Sequence, residues 1–161
     1  MKEIQLTQGK VALVDDEDFE YLNQWKWFAN NMKGNFYAVR AITVSKCKQK
    51  SISMHRLIMK PEKENVIDHL DGNSLNNQKN NLRICTHAEN MRNSKIYSNN
   101  TSGFKGVYWH KQTAKWMAYI RINNKQLHLG LFIDPKEAAR AYNAAAIKHH
   151  GEFANLNKIE I

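Results

Sequence analysis

Cysteine and proline are nearly absent from this chain, with two of each in 161 residues. Cys47 and Cys85 stand far apart and form no CxxC pair. That excludes a four-thiolate zinc site, so no structural zinc is expected. Both read best as small buried hydrophobes. Long apolar runs are also missing, which argues against a membrane-spanning helix and a membrane partner. The opening MKEIQLTQGK lacks the apolar stretch of a signal peptide. The expected location is therefore the cytoplasm, where a disulfide is not expected. Acidic residues are outnumbered, 15 against 24 basic ones, for a formal charge of +9. The imbalance is largest in residues 99–161, with nine bases against four acids. Such a surplus favours a polyanionic partner; the bland alternative is a basic, well-solvated surface.

What is present suffices for a core. Apolar residues make up 42% of the chain, enough for one domain or two small ones. Residues 1–53 read mainly as strand. Val11 to Val14 is a short apolar run, a short helix is expected around Phe19 to Asn23, and Trp25, Trp27, Phe36, Ala38, Arg40, Ile42 and Val44 alternate with polar positions around Gly34-Asn35. This is a hairpin pattern whose aromatics belong to a core. Residues 101–157 show two alternating runs, GVYWH and KWMAYIRI, an Asn123-Asn124 turn, and a third run, KQLHLGLF. Asp134 and Pro135 then open an alanine-rich helix that ends near Gly151. The polar stretch from Ser94 to Gly103 reads as a linker. The expected fold class is α+β. Its parts are a β-rich segment (1–53) and a ββα centre (54–98) forming one domain over 1–98, then a three-stranded antiparallel sheet on one helix over 99–161.

The chemistry concentrates in VIDHLDGNSLNNQKNNLRICTHAEN. Asp68 and His69 close an apolar run, and a polar loop leads to Asn81 and a second run. Thr86 and Glu89 then form a capping box that starts a helix carrying Asn90. Magnesium takes oxygen ligands and keeps several waters, so the Asp68 carboxylate, the Asn90 amide oxygen and substrate phosphate oxygens would suffice to hold it. His69, with a pKa near working pH, is the natural general base, and Asn81 an orienting group for the imidazole or the loop. In a regular strand Asp68 and His69 point to opposite sides, so a bulge or strand end is needed to aim both at one phosphate. The competing reading is that Asp-His pairs and loop asparagines are ordinary surface chemistry.

Residues 54–93 (MHRLIM … VIDHLDGN … NNLRICTHAENMRN) resemble the HNH nucleases, in their phage and intron-encoded homing branch. The resemblance implies a ββα-metal fold. His69 is then the general base, Asn81 the orienting residue, and Asp68 and Asn90 the ligands of one Mg2+ or Mn2+ ion. Zinc-bearing relatives carry CxxC pairs that are missing here, so packing must hold this fold together. His55 reads as structural or phosphate-contacting, with an active-site role the alternative. His87 is one turn from Asn90 and is a second choice of ligand. Arg83, Arg92 and Lys95 could clamp phosphates, although Arg83 could equally pair with an acid.

In the third segment the alternation turns Val107, Trp109, Trp116, Ala118 and Ile120 toward the helix. Lys105, Tyr108, His110, Lys111, Lys115, Tyr119, Arg121 and His128 then face outward, a basic and aromatic surface suited to phosphates and base edges. Lys105-Gly106-Val107, the Ala118 to Arg121 strand, Leu129-Gly130 and Ala154 to Asn157 make residues 101–157 similar to the plant ethylene-response-factor (Apetala) DNA-binding domain. That resemblance implies major-groove binding by the sheet, with Arg121 the leading base or phosphate contact. Tyr108 and His110 replace the usual arginines, and His128 a tryptophan, so the plant base preference does not transfer. The combined expectation is a metal-dependent endonuclease acting on double-stranded DNA. The alternatives are a DNA-binding regulator with a degenerate nuclease motif and, further off, an RNA-directed protein. The pattern leaves the oligomeric state unknown.

Overall fold

A computed structural model describes residues 1–45, 48–94, 96 and 99–159. Cys47 and Lys95, both singled out above, lie outside them. The chain is α+β and divides into two compact units, Met1–Asn90 and Met91–Ile161.

In the first unit β1 (Lys2–Gln5) pairs antiparallel with β2 (Val11–Val14), turning Ile4, Ala12 and Val14 inward. The next helix, α1 (Asp16–Leu22), begins earlier than the sequence suggested. Asp15 is extended, and three acids fill the first turn, where the helix dipole favours negative charge. Leu22, near its end, is fully buried. Trp25 and Trp27 precede the hairpin instead of forming its first strand. The Trp27 indole Nε1 donates to the Leu22 carbonyl at 2.8 Å, and the Arg40 guanidinium lies 3.8 Å from the Trp25 ring centre. The hairpin itself is β3 (Phe28–Met32) and β4 (Asn35–Ser45), with β5 (Lys48–Ser53) on the far side of β4. A helix without a sequence signal follows, α2 (Met54–Met59). Met54 is fully buried in the core with Leu22, Trp27 and Ala38. Burial of such a side chain contributes about 1.5–3 kcal/mol, which fixes α2 by its first residue. Lys60 ends the helix in the left-handed region, just before Pro61. Then come β6 (Val66–His69), a long loop, β7 (Leu82–Cys85) and α3 (His87–Arg92), with β6 and β7 antiparallel.

The second unit follows its alternation. β8 (Val107–His110), β9 (Lys115–Ile122) and β10 (Lys125–Phe132) form an antiparallel sheet with β9 in the middle. Asn123 and Asn124 both have positive φ, as a tight hairpin turn requires. In α4 (Pro135–His150) the Asp134 side chain accepts the Lys136 N–H at 2.8 Å, and three basic residues fill the last turn. Ala138, Ala139, Tyr142, Ala145 and Ala146 bury against Val107, Ala118 and Ile120. Gly106 is obligatory here, because a Cβ would lie 2.1 Å from the Tyr142 ring. Asn157 ties the chain end back, accepting the Lys105 N–H and donating to the Lys105 carbonyl. One inward assignment fails. Trp109 is 43% exposed at the end of edge strand β8 and leans edge-to-face on Trp116 across the ladder, with ring centres 5.1 Å apart. The helix packs on Val107 and leaves this indole to its neighbour. The stretch read as a linker is also partly stitched down: Asn100 and Ser102 bond to each other, and both bond to the Phe104 carbonyl.

Candidate active site

The β6–β7 ladder sets His69 opposite Leu82 and Asp68 opposite Arg83. Successive strand residues face opposite ways, so Asp68 and His69 have different surroundings. Asp68 is buried, and its Oδ2 accepts from Arg83 Nε at 2.9 Å and Nη2 at 2.7 Å. Of the two roles open to Arg83, the structure thus shows the ion pair with an acid. A carboxylate removed from water this far needs such a counter-charge.

His69 is buried against two other rings. His55 on α2 meets it edge-on with ring centres 5.3 Å apart, and Tyr37 on β4 lies 6.3 Å away. Burial pushes the His69 pKa down, while the Asn77 side chain, Asp71 and Asp68 pull it up. In His55 burial dominates, followed by His69 and Arg56, and its pKa falls to about 3. Both rings are therefore neutral at working pH. His69 Nε2 and His55 Nδ1 are buried without a hydrogen-bond partner among the described residues.

Asn81 acts on the loop. Its Oδ1 accepts the Asp71 N–H at 3.0 Å, and its Nδ2 donates to Asp71 Oδ1 and the Asn76 carbonyl. Its carbonyl accepts the Leu70 N–H. The loop from Leu70 to Asn81 is thus closed at its base, and a turn at Gly72, where φ is +67°, starts it directly after His69. Of the two roles open to Asn81, the structure shows loop orientation. Further ties run to the N-terminal strands. Leu13 exchanges backbone bonds with Leu75 and Asn77, and Asp15 accepts from Gln78 and Lys79.

The capping box forms as expected. The Thr86 N–H and hydroxyl both reach Glu89 Oε2 at 2.8 Å, and the Glu89 N–H returns to Thr86 Oγ1. His87 is exposed and Asn90 half-buried, three residues apart on α3. Among the described residues no three of histidine, cysteine, aspartate and glutamate converge as a metal cage. Burial and then the Asp68 charge push the Cys85 thiol pKa up, and the Asn90 backbone N–H opposes them. One carboxylate and one carboxamide fit a hard divalent ion that keeps its waters and takes phosphate oxygens, provided Arg83 yields its hold on Asp68.

The outer sheet face of the second unit presents a different surface. Cross-strand pairing puts Tyr108 beside Met117, His110 beside Lys115, Tyr119 beside His128 and Arg121 beside Gln126. Lys111, Lys115, Arg121 and His128 are exposed, while Tyr108 and Tyr119 are half-buried and pack edge-to-face with ring centres 5.2 Å apart. Lys105 departs from the outward expectation. Its Nζ donates to the Arg92 and Ser94 carbonyls, each at 2.6 Å, and burial lowers its pKa to about 8. The ammonium satisfies chain carbonyls and is not displayed to solvent. Arg92 contributes its carbonyl to this contact.

Residues missed by sequence reasoning are Tyr37 and Asn77. Tyr37 falls between the alternating positions Phe36 and Ala38, on the phase read as polar. Asn77 was one of five asparagines in a loop where asparagine is ordinary.

Residues 54–92, which include β6, the loop, β7 and α3, match the HNH endonuclease family model. Protein 3.8 of Escherichia phage T7 is 38% identical over 90 residues, covering 56% of this chain and 74% of that protein. The chain belongs to the family of that phage protein and carries an HNH endonuclease domain. It is also similar to plant proteins over 72 residues. These include the AP2-like ethylene-responsive transcription factor CRL5 of Oryza sativa subsp. japonica, 43% identical, and AIL7 of Arabidopsis thaliana, 45% identical. The matches span 44% of this chain but only 11% and 14% of those plant proteins. Among the described residues no helix is long and apolar enough to cross a membrane.

Proposed function

We propose that this protein is a divalent-cation-dependent endonuclease of the homing type that cuts duplex DNA at sites chosen by its C-terminal sheet. The observation that carries the reading is the placement of His69. It is a buried imidazole at the end of β6, directly beside a buried acid and at the root of the loop that Asn81 closes. His69 takes a proton from the attacking water, and Asn81 keeps the His69 end of the loop in place. Asp68 and Asn90 hold a magnesium or manganese ion, which when bound supplies charge stabilisation at the phosphate and at the leaving 3′ oxygen. Arg83 moves from Asp68 toward the phosphate as the site fills. His87 and Arg92 flank Asn90 on α3 and serve the same end of the helix. In the second unit Tyr108, His110, Lys111, Lys115, Tyr119, Arg121 and His128 meet the DNA, with Arg121 the strongest single contact. The products carry 5′ phosphate and 3′ hydroxyl ends.

The test is supercoiled plasmid incubated with purified protein and magnesium, then repeated with a chelator. Nicked or linear DNA that vanishes with chelator is the expected result. The Arg83–Asp68 ion pair favours one other reading, a DNA-binding regulator whose nuclease motif is a remnant. Persistent absence of nicks with intact DNA binding selects it.

A further inference from the structure

Asn77 is the one asparagine of the loop that is fully buried, at 0% exposure. Its backbone N–H donates to the Leu13 carbonyl at 2.8 Å, and its Nδ2 donates to the Leu75 carbonyl at 3.1 Å. These bonds fix the carboxamide and determine which end is left over. The remaining group, Oδ1, is buried and has no partner at hydrogen-bond geometry. His69 shows the complementary deficit. Its Nε2 is buried and unpartnered as well. The loop ties bring the two side chains to one place: Asn81 accepts the Leu70 N–H, next to His69, and donates to the Asn76 carbonyl, next to Asn77. Tyr37 and His55 wall the ring on other sides with aromatic surface. A ring N–H and a carboxamide oxygen, both withdrawn from water, cost too much to leave unpaired when they can satisfy each other by a small adjustment.

We infer that Asn77 is a positioning residue for the general base: its Oδ1 accepts the Nε2–H of His69, which fixes the ring orientation and the tautomer and leaves Nδ1 with the lone pair that takes the proton from water. This rests on the reading of His69 as the base. The proton balance is simple. Water loses a proton to Nδ1, the ring becomes imidazolium, and the Nε2–H bond to Asn77 shortens as the charge develops. The hydroxide oxygen forms the new bond to phosphorus as the 3′ oxygen leaves. Asn77 then does for this histidine what a second partner does for other catalytic and metal-bound imidazoles.

The first test needs no variant. In the full-length protein at neutral pH, long-range 1H–15N spectra of the His69 ring should show the proton on Nε2 and a bare Nδ1. A proton on Nδ1 instead overturns the proposal. Asn77→Leu keeps the branched outline of the side chain and removes the acceptor. It should lower kcat about ten- to hundred-fold with KM for DNA unchanged, and the Nε2–H signal should lose its protection from exchange. Asn77→Asp keeps the acceptor but loses the donor to the Leu75 carbonyl, and should recover the protection of the Nε2–H signal. Should Asn77→Leu not fold, Asn77→Ser carries the same expectation with less disturbance of the loop. Wild-type kcat in Asn77→Leu overturns the role. Wild-type cutting by His69→Ala overturns the underlying reading of the base, and the Nε2–H signal tells that failure apart from a failure of the contact.

Discussion

The two units hold their charges in opposite ways. In the first, Asp68 and Arg83 are an ion pair with side chains 7% and 14% exposed, and His55 and His69 are neutral rings inside a wall of other rings. In the second, Arg121, Lys111, Lys115 and His128 stand in solvent, and the buried layer is alanine against a sheet. Buried groups interact through a low dielectric and have fixed directions, which suits bond-breaking. Exposed charges are screened and mobile, which suits capture of a polyanion. Substitutions in the first unit should therefore damage chemistry or folding, and substitutions on the second sheet should damage binding.

The largest effect expected is that of His69→Ala. Its kcat should fall about 10²–10⁴-fold in a plasmid-cleavage assay while DNA retention on a gel stays near wild type. Wild-type turnover would remove the contrast between the units. Next is Arg83→Leu, which removes the guanidinium from the buried Asp68 carboxylate. Thermal or denaturant unfolding should show a loss of about 3–5 kcal/mol, and a smaller loss would mean that water reaches the acid.

The pH response of His55 ranks third. Its folded pKa is about 3 against the ordinary 6.5, so only the unfolded chain takes up a proton between these values. Stability is complete above pH 6.5 and falls as pH drops toward 3, by on the order of 5 kcal/mol in all. His55→Phe should flatten that slope in denaturant melts taken at pH 7 and pH 4.5. Equal slopes would indicate that the ring is hydrated.

On the sheet, Arg121→Ala should cost about 1–3 kcal/mol of specific binding and relax site choice, with the active centre untouched. An unchanged footprint would count against this face as the reader of DNA. The smallest effect should come from Lys105→Met. It should cost about 1 kcal/mol of stability by freeing the Arg92 and Ser94 carbonyls, and leave the salt dependence of binding as it was. A reduced salt slope would return Lys105 to the DNA-contacting set.

Much of the second unit was legible because its signals are local. Alternation at period two, a two-asparagine turn, and an Asp-Pro helix start act over a few residues and meet no competitor. The same holds for the Thr86–Glu89 capping box. Trp109 escaped the rule because alternation assigns a face but does not say how far the covering helix reaches. In the first unit α2 had no periodicity to announce it, since six residues are too few and Met54 is held by the core instead of by helix propensity.

By itself the sequence determined which groups could do chemistry and in what order they occur: an acid and an imidazole side by side, an asparagine after a loop, and another on a capped helix. Tertiary structure alone decided their partners. Arg83 came to face Asp68 through strand register, His55 met His69 because a buried methionine fixed its helix, and Asn77 was drawn fully inward where its backbone N–H bonds the Leu13 carbonyl. Local spacing encodes which residues share a strand or a turn. Contacts between residues distant in the chain depend on how the apolar surfaces pack, and no short pattern carries that information.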